Sequence, residues 1–379
     1  MGEEKKTTAP VSSVGADGAQ PNVKNHTEII ANSQKQINLQ ATQSPEKTGR
    51  SGGLQTISMT ELYDTVFKPR TPVVDGFLYS GTYLFVGAPK VGKSFFMAQL
   101  AYHVAMGLPL WEYPVHKGTV LYLALEDDYA RLQRRLSTMF GVESADNLFF
   151  ATQSKTLNGG LGQELEDFVK EHMDARLIII DTLQKVREVG GDRYSYSSDD
   201  DEIVTKLKAF SDKYGVCLLV VHHTRKLEAE DSFDMISGTN GLLGAADGAF
   251  IMQKKKRTDN TAVMDIVGRD QPDQELTIEF DRERCIWKFQ KAETELWKRP
   301  IDPLLEAVAG LVTTEKPEWN GSPLELLELL PEVGMAANVL TRRLNVSAER
   351  LYNDYGIYYE SRRTHSGRNV YLKLIQTEA

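Results

Sequence analysis

Cysteines, long apolar runs and signal-like segments are scarce or missing in this sequence of 379 residues. Its two cysteines, Cys217 and Cys285, are too few for a disulfide framework or a CxxC metal site, and their apolar neighbours indicate buried free thiols. No segment has the roughly 20 consecutive apolar residues that a membrane-spanning helix requires. The opening MGEEKK also has no apolar signal core. We therefore expect a soluble, cytoplasmic protein without a membrane partner.

Basic residues are not in excess either. The 44 Lys and Arg residues are outnumbered by 53 Asp and Glu residues, which gives a net charge of -9. This balance excludes a globally basic, histone-like protein. It does not exclude a nucleic-acid partner, because a local basic groove decides such binding and not the sum over the chain.

The composition divides the chain into three predicted parts. Residues 1–55 are rich in Gln, Asn, Ser, Thr, Gly and Lys, and we expect a disordered tail because they have too little apolar surface to bury. Residues 56–295 form a core, in which Ser58 is a candidate N-cap of the first helix. Residues 300–379 form a smaller module.

Apolar runs alternate with amphipathic helical patterns in the core. The runs lie at 82–86, 119–125, 147–151, 176–180, 216–221 and 248–252, and the helical patterns at 93–106, 128–140, 162–173 and 199–213. Continuous apolar runs are typical of strands buried on both faces of a parallel sheet. After residue 250, three strand patterns follow one another without helices. We therefore predict an α/β fold whose sheet is mainly parallel and ends in antiparallel strands.

The most informative motif is GxxxxGK[ST], which lies between a predicted buried strand and a predicted helix. Its residues are Gly87, Ala88, Pro89, Lys90, Val91, Gly92, Lys93 and Ser94. In such a loop the backbone N–H groups and the helix N-terminus bind phosphates, while Lys93 reaches the β- and γ-phosphates and Ser94 binds Mg²⁺. The alternative is a glycine-rich turn without a ligand. The strand before the motif and the helix after it favour ATP or GTP with Mg²⁺.

Two further predicted strands end in acidic residues. Asp181 follows LIII and is the candidate second Mg²⁺ ligand of a Walker-type site, or else a helix N-cap. Glu126 follows YLAL and is the candidate catalytic base that orients or deprotonates the attacking water. Asp127 or Asp128 could equally cap the helix that follows, and Glu126 could be a solvated acid.

Polar residues also follow later strands. His223, with His222 as the less favoured neighbour, could bond the γ-phosphate or its water, or could be an ordinary loop residue. Two polar loops at 186–199 and 225–240 lie where parallel sheets bind ligands, and they are candidate contacts to DNA or plain surface loops. Arg269 ends a late strand and could stabilise phosphoryl-transfer charge in a neighbouring subunit.

These segments together resemble the RecA/DnaB-type ATPases, and most closely the RepA-like hexameric replicative helicases of plasmids and mobile elements. The resemblance covers about residues 57–290. It depends on GAPKVGKS, YLALEDD, LIIIDT, VVHHTRK, the run from Ser237 to Asp247, and VGRD followed by QELTIEF. It implies a RecA-like fold and a homo-oligomeric, hexameric ring that hydrolyses ATP with Mg²⁺.

The resemblance also implies residue roles and a partner. Lys93 and Ser94 match the phosphate and metal residues, Asp181 matches the second metal acid, and the positions of Glu126, His223 and Arg269 match the base, the γ-phosphate sensor and the trans-acting finger. The partner that it implies is DNA, single-stranded at the core loops.

The C-terminal module has the pattern of a winged helix. Residues 335–344 and 348–355 predict a helix–turn–helix with Ser347 as a cap, and two strand patterns with a basic tip follow. Residues 301–340 have seven acids and one lysine, whereas 341–379 have seven bases and four acids. The pattern is compatible with binding to duplex DNA and with binding to protein, and the sequence does not decide between the two.

Three functions follow from these patterns. The favoured hypothesis is an ATP-hydrolysing ring motor, a DNA helicase in the replication of a plasmid, phage or mobile element. The second is an ATP-gated DNA-binding regulator or loader that does not unwind DNA. The third is a P-loop small-molecule kinase, which the absence of an evident lid segment disfavours.

Overall fold

The computed structural model describes residues 56–67, 69–187, 196–223, 240–256, 258–269, 273–292, 301–330, 334–365 and 367–375. Contacts divide the chain into a unit from Met1 to Met59 and a unit from Thr60 to Ala379. The tail predicted over 1–55 lies outside the described residues, as do most of the two predicted polar loops. The features below belong to the unit that begins at Thr60.

Among the described residues, eleven strands precede the C-terminal module. In chain order they are β1 (Pro72–Val74), β2 (Leu78–Tyr79), β3 (Gly81–Gly87), β4 (Thr119–Ala124), β5 (Leu148–Ala151), β6 (Ala175–Asp181), β7 (Cys217–His223), β8 (Gly248–Gln253), β9 (Thr261–Gly268), β10 (Gln274–Asp281) and β11 (Ile286–Ala292). β1 and β2 pair with each other as a short antiparallel ladder. The sequence patterns did not reveal this pair, because two or three residues are too few to show periodicity.

The other nine strands form one sheet in the order β11-β10-β9-β8-β3-β7-β6-β4-β5. From β8 to β5 all neighbours are parallel. From β8 to β11 all neighbours are antiparallel. The structure thus confirms an α/β fold with a mainly parallel sheet and late antiparallel strands.

The parallel strands are apolar throughout because both faces of the sheet are covered. In β3, Tyr83 and Phe85 enter one hydrophobic cluster, whereas Leu84 and Val86 enter a second cluster on the opposite face. Alternate side chains of a strand point to opposite faces, so each face receives every second residue. This two-sided burial explains the continuous apolar runs of the sequence.

Seven α-helices of the described residues lie before the C-terminal module, besides a short π-helix at Leu157–Leu161. They are α1 (Met59–Asp64), α2 (Lys93–Met106), α3 (Tyr129–Phe140), α4 (Gly162–Glu171), α5 (Leu183–Val186), α6 (Tyr196–Tyr214) and α7 (Asn240–Ala245). α2 supplies Phe96 and Leu100 to the first cluster, and α6 supplies Val204 and Leu207 to the second. The described helices include none with the length and apolar character needed to span a membrane.

The C-terminal module has four helices and three strands. They are α8 (Pro303–Ala309), β12 (Glu318–Gly321), α9 (Pro323–Leu329), α10 (Ala337–Val346), α11 (Ala348–Tyr355), β13 (Ile357–Thr364) and β14 (Gly367–Leu374). The strands form an antiparallel sheet in the order β12-β14-β13. A separate hydrophobic cluster, which includes Leu305, Leu344 and Leu372, holds the module together. The four-residue β12 was not predicted from the sequence.

Two details of the sequence prediction are wrong. Ser347 precedes α11 but makes no side-chain cap hydrogen bond, because its ψ of 8° is not the extended conformation of a typical N-cap. Its N–H instead continues the bonding of α10, with Arg343 O as the acceptor at 3.0 Å. Cys217 is buried as expected, but Cys285 is only half-buried, in the turn between β10 and β11.

A buried aspartate fixes the edge of the sheet where the parallel strands begin. Asp247 is 2% exposed; its Oδ2 accepts from Thr82 N at 2.9 Å, and its Oδ1 accepts from Lys208 Nζ. Arg70 Nη2 lies 3.5 Å from the same Oδ1. Burial alone would raise the pKa of Asp247, but the bonds from Lys208 and Thr82 and the charges of Lys208 and Arg70 together hold it below its usual value. The carboxylate therefore stabilises the folded chain in its ionised form.

We expect Asp247→Asn to lower the free energy of unfolding by about 2 kcal/mol at pH 7, since two partly exposed cations lose their counter-charge. A carboxylate with a depressed pKa stabilises the fold above its unfolded pKa of about 3.9 and loses this effect as the pH falls through its folded pKa. The difference between wild type and variant should therefore shrink below about pH 4. Urea denaturation at several pH values measures it.

Asp212→Asn is the matched control. Asp212 lies 3.6 Å from the same Lys208, but its side chain is 53% exposed, so its replacement should cost less than about 1 kcal/mol. Equal losses for the two variants would contradict the assignment of Asp247 as the stabilising partner.

Candidate active site

The glycine-rich loop joins the end of β3 at Gly87 to the start of α2 at Lys93. Within the loop, Lys90 has a φ of 66° and Gly92 a φ of 109°, so both lie in the left-handed region. A Cβ atom at Gly92 would come within 2.7 Å of Cζ2 of Trp287. Position 92 therefore requires glycine both for its backbone conformation and for the close approach of the Trp287 ring.

Lys93 is a buried cation at the start of α2. Its Nζ donates to the carbonyl oxygen atoms of Gly87 at 2.7 Å and Ala88 at 3.0 Å. The residue is 4% exposed, and burial lowers its pKa to about 8 despite the attraction of Asp181 and Glu126. A buried cation is costly without anionic or hydrogen-bonding partners. An ammonium in this position, beside a loop that opens a helix, fits an anionic phosphate ligand.

Ser94 and Asp181 meet at the same edge of the sheet. Ser94 Oγ donates to Asp181 Oδ2 at 2.8 Å, and the buried Tyr122 OH donates to the same oxygen at 2.9 Å. Burial raises the pKa of Asp181, and these two hydrogen bonds oppose the rise. A hydroxyl and a carboxylate held within hydrogen-bonding distance are oxygen ligands of the kind that Mg²⁺ prefers.

His223 links Lys93 to Glu126. Its Nδ1 lies 2.9 Å from Lys93 Nζ, and its Nε2 lies 3.7 Å from Glu126 Oε2. Burial and then the charge of Lys93 lower the pKa of His223, which favours the neutral ring. Because an ammonium can only donate, Nδ1 accepts and the ring proton lies on Nε2, toward Glu126. His222, the less favoured candidate, points to the opposite face of β7.

Three consecutive acidic residues after β4 have different partners. Asp128 caps α3, since its side chain accepts from Arg131 N at 2.8 Å. Asp127 forms an ion pair with Arg135 Nη1 at 2.7 Å. Glu126 is half-exposed, lies near His223, and accepts from Thr182 Oγ1 at 3.4 Å. Only Glu126 of the three therefore contacts the cluster around the loop.

Strand register explains why these residues meet. Gly87 is the register partner of His223, and Asp181 is the partner of both Val221 and Ala124. Neighbouring strands are about 4.8 Å apart, so their carboxyl ends present one row of side chains. Glu126 follows Ala124 by two residues and joins the same row.

Arg269 is not part of this cluster. It follows the end of β9, where Gly268 pairs with Gly248, and Gly248 pairs with Tyr83 near the start of β3. Since Gly87 ends β3 four residues later, Arg269 lies roughly 13 Å away from the loop along the strand direction. Its N–H donates to Asp247 O at 2.9 Å, and its guanidinium donates to Gly244 O. Ser237 and the residues of the predicted DNA-contacting loop at 225–239 lie outside the described residues.

The sequence reasoning missed two residues of the site. Tyr122 was counted only as a strand residue, although a phenol in the middle of the apolar run TVLYLAL was a signal that could have revealed it. Trp287 donates from Nε1 to Gly92 O at 3.2 Å, and its backbone exchanges two hydrogen bonds with the side chain of Gln99 on α2. Nothing in the local sequence connects Trp287 with the loop, because 195 residues separate it from Gly92.

Comparisons with known proteins give one family and two similar solved structures. A family model described as an AAA domain matches residues 50–229. The chain is similar to a solved structure of an isolated ATPase domain, with 13% identity over 72% of this chain and 100% of that chain and a TM-score of 0.47. It is also similar to a DnaB-like replicative helicase studied with primase, with 13% identity over 72% of this chain and 80% of that chain and a TM-score of 0.49. No curated protein matches the sequence.

The site and the fold define a class of protein, the P-loop ATPases. Within this class, the match of residues 50–229 to the AAA domain and the strand order with β3 between β8 and β7 support a RecA/DnaB-type P-loop ATPase, in agreement with the resemblance of the sequence motifs.

We expect Tyr122→Phe to raise the Mg²⁺ concentration needed for half-maximal nucleotide binding by about tenfold, because Asp181 loses a charge-assisted hydrogen bond. Affinity for the nucleotide without metal should change by less than about twofold, since the phenyl ring keeps the packing. Titration of a fluorescent ATP analogue at several Mg²⁺ concentrations measures both quantities. Tyr113→Phe removes a hydroxyl that bonds Gln274 at 3.4 Å, and it should leave both unchanged. Identical Mg²⁺ dependence in the Tyr122→Phe and wild-type proteins would refute this role.

Proposed function

We propose that the chain is an ATP-hydrolysing ring motor of the RecA/DnaB type, a DNA helicase in the replication of a plasmid, phage or mobile element. The observation that supports it most is the cluster of Lys93, Ser94, Asp181, Glu126 and His223 at one edge of the sheet. A phosphate-binding loop, two metal-binding oxygens, a carboxylate and a sensor side chain are the parts that hydrolysis of a nucleoside triphosphate requires.

In this proposal the loop residues 87–94 bind the ATP phosphates. Lys93 exchanges its present backbone acceptors, Gly87 O and Ala88 O, for phosphate oxygens. Ser94 and Asp181 would hold Mg²⁺, and Tyr122 would keep the Asp181 carboxylate in place through its hydrogen bond to Oδ2. Bound Mg²⁺ neutralises charge on the phosphate oxygens.

Glu126 acts as the general base in this proposal, and His223 as the sensor. Thr182 holds one oxygen of the Glu126 carboxylate, while the other faces Nε2 of His223 at 3.7 Å. A carboxylate next to the loop can accept a proton from a water that attacks the γ-phosphate. A phosphate would also compete with His223 for Lys93 Nζ, so that occupancy of the site changes the contacts at the end of β7.

Arg269 acts in a neighbouring subunit. It lies at the opposite edge of the sheet from the loop of its own chain, so it can reach a nucleotide only across a subunit interface. An arginine supplied in this way stabilises charge that develops in phosphoryl transfer. The proposal therefore includes a homo-oligomeric ring, taken as a hexamer.

DNA is the proposed partner, and the chain has three parts in this proposal. Residues 1–55 are a tail, residues 56–295 are the ATPase domain, and residues 300–379 are a winged-helix-like domain. Single-stranded DNA passes along the loops that follow β6 and β7, and the basic hairpin of β13 and β14 can contact duplex phosphates. Exposed Arg362, Arg363 and His365 near its tip support the second contact.

The decisive experiment measures ATP hydrolysis with and without single-stranded DNA, particle mass with nucleotide, and unwinding of a forked duplex. We expect DNA-stimulated hydrolysis and unwinding by the wild type. Glu126→Gln should keep ATP binding but lose at least about 100-fold in turnover, because the amide cannot accept the proton. Asp128→Asn is the matched control, since asparagine still caps α3 and the residue does not face the site.

The outcomes separate the hypotheses. Hydrolysis on DNA without any unwinding would indicate the ATP-gated regulator or loader. Transfer of labelled γ-phosphate to a small molecule would indicate the kinase. Turnover of Glu126→Gln equal to that of the wild type would contradict the assignment of the base.

Mixing inactive variants tests the role of Arg269. Arg269→Ala subunits have an intact loop, and Lys93→Ala subunits have an intact finger, so mixed rings contain some complete sites and should regain part of the activity. Lys93→Ala mixed with Glu126→Gln should stay inactive, because both residues belong to one subunit's half of the site. ATPase assays on mixtures at varied ratios measure the effect. If the first mixture is as inactive as its components, Arg269 is not a trans-acting finger.

A further inference from the structure

The end of α1 and the segment that leads from it to β1 contact the C-terminal module. We call residues 63–70 the strap, of which the structure describes 63–67, 69 and 70. Tyr63 O accepts from Asn345 Nδ2 at 2.9 Å, and Arg70 O accepts from Asn353 Nδ2 at 3.0 Å. Two amide side chains, one on α10 and one on α11, therefore bind the backbone of the strap near its two ends.

A charged contact and an apolar contact lie between these ends. Asp64 accepts from Arg342 Nε at 3.0 Å and lies 3.6 Å from Arg368 Nη2. The hydrogen bond from Arg342 lowers the pKa of Asp64, with the charge of Arg368 as a further cause. Val66 packs against the hydrophobic cluster of the module. The strap thus contributes backbone, charge and apolar surface to one continuous interface.

The module holds its side of this interface in a fixed conformation. Asn345 is 4% exposed, and its Oδ1 accepts from the OH of the buried Tyr359 at 2.8 Å. Since that oxygen is occupied, the Nδ2 group must face the strap. Oδ1 of Asn353 is buried and has no hydrogen-bond partner among the described residues, which shows that the contact excludes solvent from this atom. Preformed and desolvated contacts of this kind are typical of interfaces that persist.

The same face contains the polar residues with which a helix–turn–helix would read bases. Asn353 lies on α11, the second helix, and Arg342 lies on α10. Arg350, the basic residue of α11, pairs with Asp354 of its own helix at 3.2 Å. A base-reading amide must offer its donor and acceptor to an open groove. Asn353 gives one of its two N–H donors to Arg70 O, and its acceptor Oδ1 is buried, so the amide does not face an open groove.

The strap also reaches the ATPase core. The guanidinium of Arg70 lies 3.5 Å from Asp247, and Asp247 O accepts from Arg269 N at 2.9 Å. The backbone of Arg70 therefore binds the module while its side chain binds the buried carboxylate at the edge of the sheet. A single residue joins the two parts of the chain.

We propose that the face of the C-terminal module formed by Arg342, Asn345, Asn353 and Arg368 is a protein-docking surface whose partner is the strap of the same chain, and not a surface that reads DNA. The module is thereby fixed to the ATPase core. DNA contacts of the module are made by the hairpin of β13 and β14. Only this last statement rests on the proposed function; the docking itself does not.

Hydrogen exchange and duplex binding test this assignment on the full-length protein. We expect Arg342→Ala combined with Asn353→Ala to raise amide exchange in residues 63–70 and 337–355 by about tenfold, because two of the contacts that close the interface are lost. Affinity for a random duplex, measured by fluorescence anisotropy, should stay within about twofold of the wild type, since neither residue touches DNA. Arg362→Ala, at the hairpin, should weaken duplex binding and leave exchange in the strap unchanged, because Arg362 pairs with Glu360 of its own strand.

Arg343→Ala is the matched control. Arg343 is next to Arg342 on α10, but it pairs with Asp302 inside the module at 3.2 Å, so exchange in the strap should not change. A rise of several-fold in duplex affinity with the double variant would overturn the proposal, because the face would then be a DNA surface that the strap covers. A fall in duplex affinity without faster exchange would overturn it too, since the face would then touch DNA directly. Unchanged exchange would show that these contacts do not hold the strap.

The tests of docking and of function are independent. ATP hydrolysis and fork unwinding by the wild type report on the motor, whereas exchange in the strap reports on docking. A chain that never unwinds DNA could still show the expected exchange. A working helicase whose double variant exchanges like the wild type would keep the proposed function and refute the docking surface.

Discussion

The candidate site depends on one constraint, the parallel register of β3, β7, β6 and β4. This register brings the end of β3 next to His223, and places Asp181 between Val221 and Ala124. Lys93 can then contact His223, and Ser94 can contact Asp181, although these partners are 130 and 87 residues apart in sequence. Any slip of one strand by a single residue would turn its terminal side chain to the other face. The two-sided hydrophobic burial of the strands opposes such a slip, so the core of the fold and the geometry of the site have the same physical origin.

The opposite edge of the sheet has a different organisation. There Asp247 is the common partner of Thr82, Lys208 and Arg70, and its carbonyl group holds the backbone of Arg269. Charge neutralisation of one buried carboxylate thus connects the helix α6 with the strap, and a backbone hydrogen bond from Arg269 to the carbonyl oxygen of the same residue adds the end of β9. In the function that we propose, the first edge is the nucleotide site of its own subunit, and Arg269 at the second edge serves a neighbouring subunit.

In the C-terminal module, residues that are typical of a DNA-binding helix–turn–helix contact protein backbone in the folded chain. Its helices α10 and α11 have the spacing and some of the polar residues of a helix–turn–helix, yet Asn345 and Asn353 bind backbone carbonyl groups of the strap. Asparagine and arginine suit such docking for the same reason that they suit DNA, because both offer several hydrogen-bond donors. The sequence pattern alone did not decide whether the module contacts DNA or protein. The contacts of the folded chain favour protein for this face.

The sequence by itself determined the local features: apolar runs for the strands, helix bounds such as 93–106, and the loop from Gly87 to Ser94 with its lysine and hydroxyl. These follow from periodicity, backbone freedom and side-chain chemistry, which act over a few residues. Only the tertiary structure decided which acid of Glu126, Asp127 and Asp128 faces the site, since capping and ion pairing with α3 engage the other two. The tertiary structure also places Tyr122 and Trp287 in the candidate site, and it shows that Asn353 binds the backbone of the strap. Each of these depends on partners many residues away, and such partners are set by sheet register and packing, which no local pattern contains.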